Sequence, residues 1–163
     1  MKLLVFSDSH GSIDRLSFAV KQAAPDAILH LGDNIGDARK LHIKFPDVAF
    51  YMVKGNCDTY AAGEIERLFY LEGVKIYMTH GHIYNVKNGM NAFAYRAQEV
   101  GAGIAFYGHT HIAMIQQYNG IWLMNPGQME RHDSKRSASY GIVKLEKGRV
   151  DMEIVYLDVN RYK

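Results

Sequence analysis

Five short polar clusters, rich in histidine and carboxylate side chains, are spread along the chain. They are Asp8-Ser9-His10, Gly32-Asp33-Asn34, Gly55-Asn56-Cys57-Asp58, Thr79-His80-Gly81-His82 and Gly108-His109-Thr110-His111. Most of them directly follow an apolar run that is typical of a β-strand. Side chains at the ends of neighbouring strands can converge on one point, which is how open α/β sheets build their sites. Because Asp, Asn and His together suit divalent first-row metals, the set predicts a hydrolase with two metal ions.

The first three clusters combine oxygen and nitrogen donors. Alternation along an extended segment would point Asp8 and His10 to the same side, where a carboxylate and an imidazole can bind one ion. The two oxygens of Asp33 could bridge two ions about 3.5–4 Å apart, and Gly32 lets the backbone turn tightly beside it. The neutral carbonyl oxygen of Asn56 can bind a cation without adding negative charge.

The last two clusters supply imidazole nitrogens. His80 ends a predicted strand, and the pair His109 and His111, two residues apart, could contribute one histidine to each ion. A lone Asp-x-His or Gly-Asp pair is common in loops, where it more often caps a helix or faces solvent. Five clusters in a fixed order, each at a plausible strand end, favour a metal site over that alternative.

In order and spacing, these clusters resemble those of the calcineurin-like metallophosphoesterases. The short chain and the form Gly-Asn-Cys-Asp are similar to the small bacterial and archaeal phosphodiesterase branch, which also resembles the retromer scaffold subunit. The match runs from Asp8 to Asn125-Pro126-Gly127. The resemblance implies an α/β fold with four layers, α-β-β-α, in which two mixed sheets are flanked by helices, as in metallo-dependent phosphatases.

The resemblance also implies two metal ions with a shared carboxylate. One ion would be held by Asp8, His10, Asp33 and His111, and the other by Asp33, Asn56, His80 and His109. Mn²⁺ is the usual expectation, with Fe, Ni or Zn as possible occupants. The implied reaction is hydrolysis of a small phosphodiester by a hydroxide that bridges the ions. A non-catalytic metal-binding scaffold of the retromer-subunit type is the alternative, but all seven ligand positions carry competent residues, which favours catalysis.

Four residues form the candidate catalytic set beside the metals. Asn56 would help to orient the non-bridging phosphate oxygens. Cys57 stands where many relatives carry a histidine that protonates the leaving group, and a thiol is a poorer acid at neutral pH; a small buried filler residue is the other interpretation. Asp58 would cap a helix or hydrogen-bond a nearby histidine. His82 would line the pocket or fix His80.

Hydrophobic patterning predicts the elements that position these residues. Strands are predicted over residues 2–6, 27–31, 48–53, 67–71, 74–79, 104–107, 112–118, 121–124, 140–145 and 149–157. Helices are predicted from a Ser12 cap to about Pro25, over residues 37–44 and over residues 88–100. The first half therefore alternates strand and helix and the second half consists mostly of hairpins, which predicts an α/β sandwich. Residues 128–139 are predicted to form a long loop.

Length and composition restrict the class of protein. A chain of 163 residues fits a single domain, predicted here over residues 1–163. No stretch approaches the ~20 apolar residues of a membrane span, and a net charge of +2 gives no strong signal for nucleic acid or for a metal-dependent nuclease. The single cysteine agrees with a reducing compartment, so we expect a cytoplasmic location.

Several other residues receive structural interpretations. His30 is expected to be a core histidine with a backbone partner, whereas His42 and His132 are expected at the surface. The basic loop from Arg131 to Arg136 could bind a substrate phosphate or could simply face water. Phe69, Tyr70 and Trp122 could support a homo-oligomer, since relatives often self-associate. The partner that the sequence predicts most directly is a small phosphoester substrate.

Overall fold

The computed structural model describes residues 1–130 and 137–157. Within these ranges the elements are β1 (Lys2–Phe6), α1 (Ile13–Ala23), β2 (Ala27–His30), α2 (Ile35–Lys44), β3 (Ala49–Met52), β4 (Glu66–Leu71), β5 (Val74–Thr79), α3 (Asn91–Glu99), β6 (Ile104–Phe106), β7 (Met114–Tyr118), β8 (Ile121–Asn125), β9 (Ser139–Glu146) and β10 (Arg149–Tyr156). A short 3-10 turn, His82–Tyr84, follows β5. Every strand and helix predicted from the sequence is present, with bounds that differ by a few residues.

The strands form two five-stranded mixed sheets. The first has the order β10-β9-β1-β2-β3 and the second the order β4-β5-β6-β8-β7. In the first sheet β1, β2 and β3 are parallel. In the second sheet β5, β6 and β8 are parallel. The carboxyl ends of the parallel strands are therefore available to build a site, and the antiparallel strands lie outside them.

The main hydrophobic core lies between the two sheets. Alternate residues of β1 point inward, so Leu3 and Val5 share a cluster with Ile76, Met78 and Phe106 of the second sheet. All five side chains are fully buried. Removing this apolar surface from water, at about 25 cal/mol per Å², is the main free-energy gain that holds the sheets face to face.

Helices cover the outer face of each sheet. On the first sheet, Leu4 and Phe6 pack with Leu16 of α1 and Leu41 of α2. On the second sheet, Phe93, Ala94 and Ala97 of α3 belong to the cluster of Tyr77 and Tyr107. The layers thus follow the order α-β-β-α, which confirms the predicted fold class.

Two local predictions need correction. Ser12 does precede α1, but its hydroxyl makes no capping hydrogen bond and is buried without a partner in the described residues. Helix α2 begins at Ile35, two residues before the predicted start, because a carboxylate from another loop supplies its cap.

The predicted loop 128–139 begins with buried residues, since Gln128 and Met129 have no exposed surface. Residues 131–136, which include His132 and the basic loop, lie outside the described residues.

The side chains expected at the surface or at subunit contacts vary in exposure. His42 is exposed, as predicted. Phe69 and Trp122 are half-buried against the core between the sheets, and Tyr51 stacks on Phe69. Tyr70 is 64% exposed. None of the helices in the described ranges has the length and apolar character that a bilayer-spanning segment requires.

Candidate metal centre

The predicted metal ligands lie just beyond the carboxyl ends of five parallel strands. Asp8 follows β1, Asp33 follows β2, Asn56 follows β3, His80 follows β5 and His109 follows β6. Because the two sheets pack face to face, these five ends meet at one edge of the sandwich. The remaining two, His10 and His111, stand two residues after Asp8 and His109 in the same loops.

Six of the seven side chains form two compact groups. One group contains Asp8, His10 and His111, and the other contains Asp33, His80 and His109. Within each group one ligand atom from every residue lies within 4.8 Å of the others. The seventh residue, Asn56, places its Oδ1 atom 3.1 Å from His80 Nε2, beside the second group. The structure therefore brings all seven predicted positions into one site.

Carboxylate oxygens lie between the two groups. Asp33 Oδ2 is 3.4 Å from His80 Nε2 and 3.8 Å from His10 Nε2. Asp8 Oδ1 is 3.0 Å from His111 Nε2 and 3.9 Å from His80 Nε2. Each carboxylate is thus within reach of histidines from both groups, which is the arrangement that a shared ligand requires.

The second oxygen of each carboxylate is anchored to the protein. Asp33 Oδ1 accepts the backbone N–H of Cys57 at 2.9 Å. Asp8 Oδ2 accepts the backbone N–H of His109 at 3.1 Å and the hydroxyl of Ser7. Asp8 Oδ1, by contrast, is buried and accepts no backbone N–H among the described residues; it faces the ring nitrogens His111 Nε2 at 3.0 Å and His80 Nε2 at 3.9 Å. A cation between this oxygen and the imidazoles would offset the cost of burying the carboxylate.

The backbone at the site is left-handed rather than extended. Asp8 and His10 have φ angles of 51° and 40°, and Asp33, His109 and His111 have φ angles of 54°, 67° and 59°. The expectation that strand alternation would align Asp8 with His10 was therefore wrong, although the two side chains do converge. Non-glycine residues at positive φ cost about 1–3 kcal/mol each and cluster at functional sites.

Two glycines allow the loops to approach one another. A Cβ atom on Gly55 would lie 2.0 Å from Asp33 Oδ1, and one on Gly108 would lie 1.9 Å from Ser7 Oγ and 2.9 Å from Asp8 Oδ2. Neither space can hold a carbon atom. Glycine at these positions therefore lets the loops after β3 and β6 contact the two anchored carboxylates directly.

His80 has the surroundings that a ligand to a cation requires. Its Nδ1 lies 2.9 Å from the carbonyl oxygen of Leu31, and its Nε2 faces the oxygens of Asn56, Asp33 and Asp8. Burial lowers the pKa of His80, but the hydrogen bond to Asp33 and the charge of Asp8 outweigh it, so the pKa is raised. Oxygen atoms of three side chains therefore surround Nε2, which is an environment that suits a cation at this position.

The other ionisable groups divide into two kinds. Burial raises the pKa of Asp33, but the hydrogen bonds from His80 and Cys57 outweigh it and hold the carboxyl ionised, well below its usual range. The hydrogen bond to Asp8 raises the pKa of His111. Burial and the neighbouring His80 lower the pKa of His109 to about 4, so this imidazole is neutral at pH 7. Ionised carboxylates and a neutral imidazole are the protonation states that bind divalent metals.

The family model for the calcineurin-like phosphoesterase superfamily domain matches residues 1–148. The chain belongs to this superfamily. Among curated proteins it is 36% identical over 149 residues to a probable metallophosphoesterase, YsnB, from Bacillus subtilis, covering 90% of this chain and 85% of the relative. It is 26% identical over 173 residues to the phosphodiesterase YfcE from Escherichia coli, covering 88% and 87% of the two chains.

Solved structures of similar chains share the fold of this superfamily member. A predicted phosphoesterase from Streptococcus pneumoniae matches with a TM-score of 0.79 and 28% identity, over 95% of this chain and 88% of that one. Vps29 from Entamoeba histolytica, solved in complex with Zn²⁺, matches with a TM-score of 0.71 and 20% identity, over 96% and 99% of the two chains. The second likeness supports the fold alone.

Cys57, the candidate catalytic residue beside Asn56, lies at the exposed rim of the site. The interpretation of this residue as a buried filler is therefore wrong. Its Sγ atom accepts a weak hydrogen bond from Asn56 Nδ2 at 3.5 Å. Partial burial and the neighbouring Asp33 carboxylate raise the pKa of the thiol to about 11, so it is protonated at neutral pH.

Asp58 links two loops of this superfamily member through its carboxylate. Oδ1 accepts the N–H groups of Asn34 at 3.2 Å and Ile35 at 2.8 Å, and Oδ2 accepts the N–H of Gly55 at 2.9 Å. These contacts correspond to the capping alternative for Asp58, and in the described residues no histidine donates a hydrogen bond to it. The carboxylate fixes the Asn56 loop against the start of α2 and so holds Asn56 close to Asp33.

His82 lies over the second ligand group. Its ring centroid is 5.4 Å from that of His80 and 6.2 Å from that of His109. Its Nδ1 atom is buried and has no hydrogen-bond partner among the described residues. Burial and the charge of His80 lower its pKa. The contact with His80 is between rings and not a hydrogen bond, which favours the pocket-lining interpretation.

A buried network of hydrogen bonds supports the loop that carries Asp8 and His10, and the sequence did not predict it. The Ser9 hydroxyl donates to Asp37 Oδ2 at 2.8 Å, and the same oxygen accepts the N–H of Gly11 at 2.7 Å. His30 Nε2 lies 3.2 Å from Ser9 Oγ, and His30 Nδ1 accepts the N–H of Gly32 at 3.2 Å. His30 is thus the core histidine that the sequence predicted. Ser9 lies between two candidate ligands, which is the one sequence signal that could have revealed this support.

Proposed function

We propose that this chain is a metal-dependent phosphodiesterase with two divalent ions in one site. Asp8, His10, Asp33 and His111 would hold one ion, and Asp33, Asn56, His80 and His109 would hold the other. The observation that carries the proposal is the position of Asp33 Oδ2, 3.4 Å from a histidine of one group and 3.8 Å from a histidine of the other. The superfamily assignment supports the same reaction class.

Mn²⁺ is the metal that we propose, with Fe, Ni or Zn as competent substitutes. The donors are carboxylate oxygens, one amide oxygen and imidazole nitrogens, and no thiolate is required. This mixture suits first-row ions of intermediate hardness. Two divalent ions carry four positive charges, of which Asp8 and Asp33 offset two, so the loaded site attracts an anionic ester.

The chemistry separates into what the ions supply and what the protein does. Bound divalent ions supply charge neutralisation of the phosphate and activation of a water molecule. The N–H of Cys57 fixes Asp33 Oδ1 so that Oδ2 faces the ligand groups. The Leu31 carbonyl accepts Nδ1–H of His80 and thereby leaves Nε2 as the ligand nitrogen. Asn56 and His82 would border the space where the phosphate oxygens lie. Asn56 would orient these oxygens.

Diester hydrolysis is favoured over hydrolysis of alkyl monoesters. Cys57 stands at the rim with a protonated thiol, which is a weaker acid and a weaker hydrogen-bond donor than imidazolium. Loss of general-acid help costs about 10²–10⁴ in rate, and most for basic leaving groups. Esters with good leaving groups suffer least. The name of the similar Escherichia coli protein, a phosphodiesterase, agrees with this preference.

We extend the proposal to the organisation and location of the chain. The family match over residues 1–148 and the shared core of the two sheets support one catalytic domain over residues 1–163. A single exposed cysteine is compatible with a reducing compartment, so a cytoplasmic location is proposed. The substrate is proposed to be a small phosphodiester.

An activity panel on chelator-stripped protein tests the proposed function. Mn²⁺, Fe²⁺, Ni²⁺, Zn²⁺ and Mg²⁺ are added back singly, and bis-p-nitrophenyl phosphate is compared with an alkyl monoester. We expect Mn²⁺ to restore hydrolysis of the diester and Asp33→Asn to lower kcat/KM by at least about 10², because the shared oxygen is lost.

The matched control for this experiment is Asp151→Asn, which removes an exposed carboxylate on β10. This variant should keep wild-type activity with every metal. Full activity of Asp33→Asn would refute the shared-ligand assignment. Absence of hydrolysis with all five metals would favour the scaffold alternative instead.

A further inference from the structure

A cavity with a mostly apolar wall opens beside the polar ligand groups of the candidate metal centre. Its volume is about 480 Å³, within the range of pockets that bind small molecules. Five apolar or aromatic side chains form its wall: Val86, Met90, Tyr107, Ile112 and Met114. The polar lining consists of Lys87, Thr110 and the two candidate ligands His109 and His111. The cavity is therefore continuous with the site that would hold the phosphate.

The inner wall of the cavity is formed by buried, packed side chains, whereas its opening is exposed to solvent. Tyr107 and Val86 are almost fully buried, and Tyr107 packs against Phe93 and donates to Met114 Sδ at 3.8 Å. Ile112 and Met114 lie at the mouth with 48% and 40% of their surface exposed. Two large apolar side chains held in water next to a catalytic site gain stability when a ligand covers them.

One cation faces the same space. Lys87 is exposed, and none of the ion pairs in the described part of the chain includes it. It lines the same cavity as the candidate ligands His109 and His111, which places it close to the two ligand groups. An ammonium group at the border between the metal site and an apolar cavity suits a ligand whose anionic phosphate joins an apolar arm.

We propose that this cavity binds one organic arm of the substrate, and that this arm carries a flat aromatic ring. The juxtaposition of the apolar wall with His109, His111 and Lys87 places such a ring beside the phosphate. Met90 and Met114 are flexible side chains with polarisable sulfur atoms, which make favourable contacts with aromatic rings. The inference rests on the proposed function, because it assumes that the phosphate binds at the two ligand groups.

Equilibrium binding of phosphonates tests the cavity separately from catalysis. Isothermal titration calorimetry on Mn²⁺-loaded protein compares phenylphosphonate with methylphosphonate, which share the anionic head and differ in the ring. We expect phenylphosphonate to bind about tenfold more tightly, the factor expected for burying a ring-sized apolar surface. Adenosine 5′-monophosphate is the third probe, and the tighter of the two aromatic ligands identifies the ring as an aryl group or a nucleobase.

Matched variants assign the preference to the cavity wall. Ile112→Asn should lower the ratio of phenyl to methyl affinity at least about threefold, because a polar side chain now stands at the mouth. Ile43→Asn, which replaces another exposed isoleucine on α2, should keep the wild-type ratio. Lys87→Gln should weaken all three ligands, whereas Lys40→Gln on α2 should not.

The outcomes separate the two proposals. If methylphosphonate binds as well as both aromatic ligands while diester hydrolysis continues, the cavity inference is overturned and the proposed function stands. The same holds if Ile112→Asn and Ile43→Asn give equal ratios. If no phosphonate binds and no diester is hydrolysed with any metal, both the proposed function and the cavity inference are refuted.

Discussion

The backbone N–H of His109, from the second sheet, donates to Oδ2 of Asp8, from the first sheet, at 3.1 Å. This hydrogen bond joins the loop after β6 to the loop after β1 at the centre of the site. Together with the bond from His80 to the Leu31 carbonyl, it fixes the two halves of the ligand set against each other. The candidate metal centre therefore lies between the two sheets, and its geometry depends on how closely the loops approach one another.

That dependence predicts the effect of Gly108→Ala. The added Cβ would lie 1.9 Å from Ser7 Oγ and 2.9 Å from Asp8 Oδ2, so the loop must move away from Asp8. We expect a loss of about 1–3 kcal/mol in the free energy of unfolding, and weaker Mn²⁺ binding. Urea denaturation and calorimetry provide the two readouts.

Gly103→Ala is the control, since its Cβ would be 3.3 Å from a Val74 methyl group, far from the ligands. It should cost less stability and leave Mn²⁺ affinity unchanged. Equal metal affinity in Gly108→Ala and wild type would show that the close approach of these loops is not needed.

A second prediction concerns Asp58, whose carboxylate accepts three backbone N–H groups. Asp58→Ala removes the cap of α2 and should lower stability by about 1–2 kcal/mol. Because the Asn56 loop then loses its anchor, kcat should also fall, and Asp58→Asn should recover part of both losses. Thermal unfolding and diester turnover measure the two effects.

The comparison for Asp58 is Asp14→Ala, which removes an exposed carboxylate in the first turn of α1. Only a small loss of stability and no loss of turnover are expected there. If Asp58→Ala were as stable and as active as Asp14→Ala, the anchoring role would have to be abandoned.

The sequence was sufficient to predict which side chains meet. Unbroken apolar runs such as Leu3 to Phe6 indicate buried parallel strands, and the polar residues after them must gather at one edge. The two sheets flanked by helices and the convergence of the five polar clusters followed from this rule, whereas the assignment of seven ligands to two ions came from the resemblance to the superfamily. The prediction of the strand ends succeeded because a buried strand appears in the sequence as a short run of apolar residues, and the end of the run marks the end of the strand.

The sequence could not predict how each side chain is held. The left-handed backbone at Asp8 and His10 results from contacts between loops that are distant along the chain. The cap of α2 comes from Asp58, 23 residues beyond Ile35, so no local pattern reveals it. The support of Ser9 by Asp37 likewise depends on tertiary packing. Such long-range hydrogen bonds leave little trace in residue spacing.

The buried network predicts acid sensitivity through His30. Burial lowers the pKa of His30 to about 4, and the charge of Asp37 offsets only part of this effect. In the unfolded chain the His30 imidazole has its ordinary pKa near 6.5. Between pH 6.5 and pH 4 the unfolded chain therefore binds a proton at His30 that the folded chain does not bind. Stability is therefore complete above pH 6.5 and falls as the pH is lowered towards 4, by up to about 3 kcal/mol.

Urea denaturation at a series of pH values checks this prediction on His30→Asn, whose side chain does not titrate. The variant should lose less stability than wild type between pH 6.5 and pH 4. His42→Asn, at an exposed position, should follow the wild-type curve. Identical curves for all three proteins would mean that His30 does not carry the acid sensitivity.

Cys57 predicts the selectivity between esters. Cys57→His introduces an imidazole at the rim, and turnover of an alkyl monoester should rise relative to an aryl diester by up to about 10², because a stronger acid now assists a basic leaving group. Cys57→Ser should leave the ratio close to wild type. Steady-state kinetics with the two substrates gives the ratio. A wild-type protein that already prefers the alkyl monoester would contradict the role assigned to the thiol.

The raised pKa of His80 predicts how metal binding depends on pH. Hydrogen bonding to Asp33 and the charge of Asp8 raise the pKa of His80 against the effect of burial, and the bond to Asp8 raises that of His111. A ligating imidazole nitrogen must lose its proton, so Mn²⁺ binding near neutral pH should release protons, and affinity should fall as the pH is lowered. Titration in two buffers with different ionisation enthalpies counts the protons released. His80→Gln should release fewer protons than wild type, whereas the exposed-site variant His42→Gln should not differ from wild type. Equal heats in both buffers would show that no proton leaves, and that the cation position beside Asp33 and Asn56 is not the one that the metal takes.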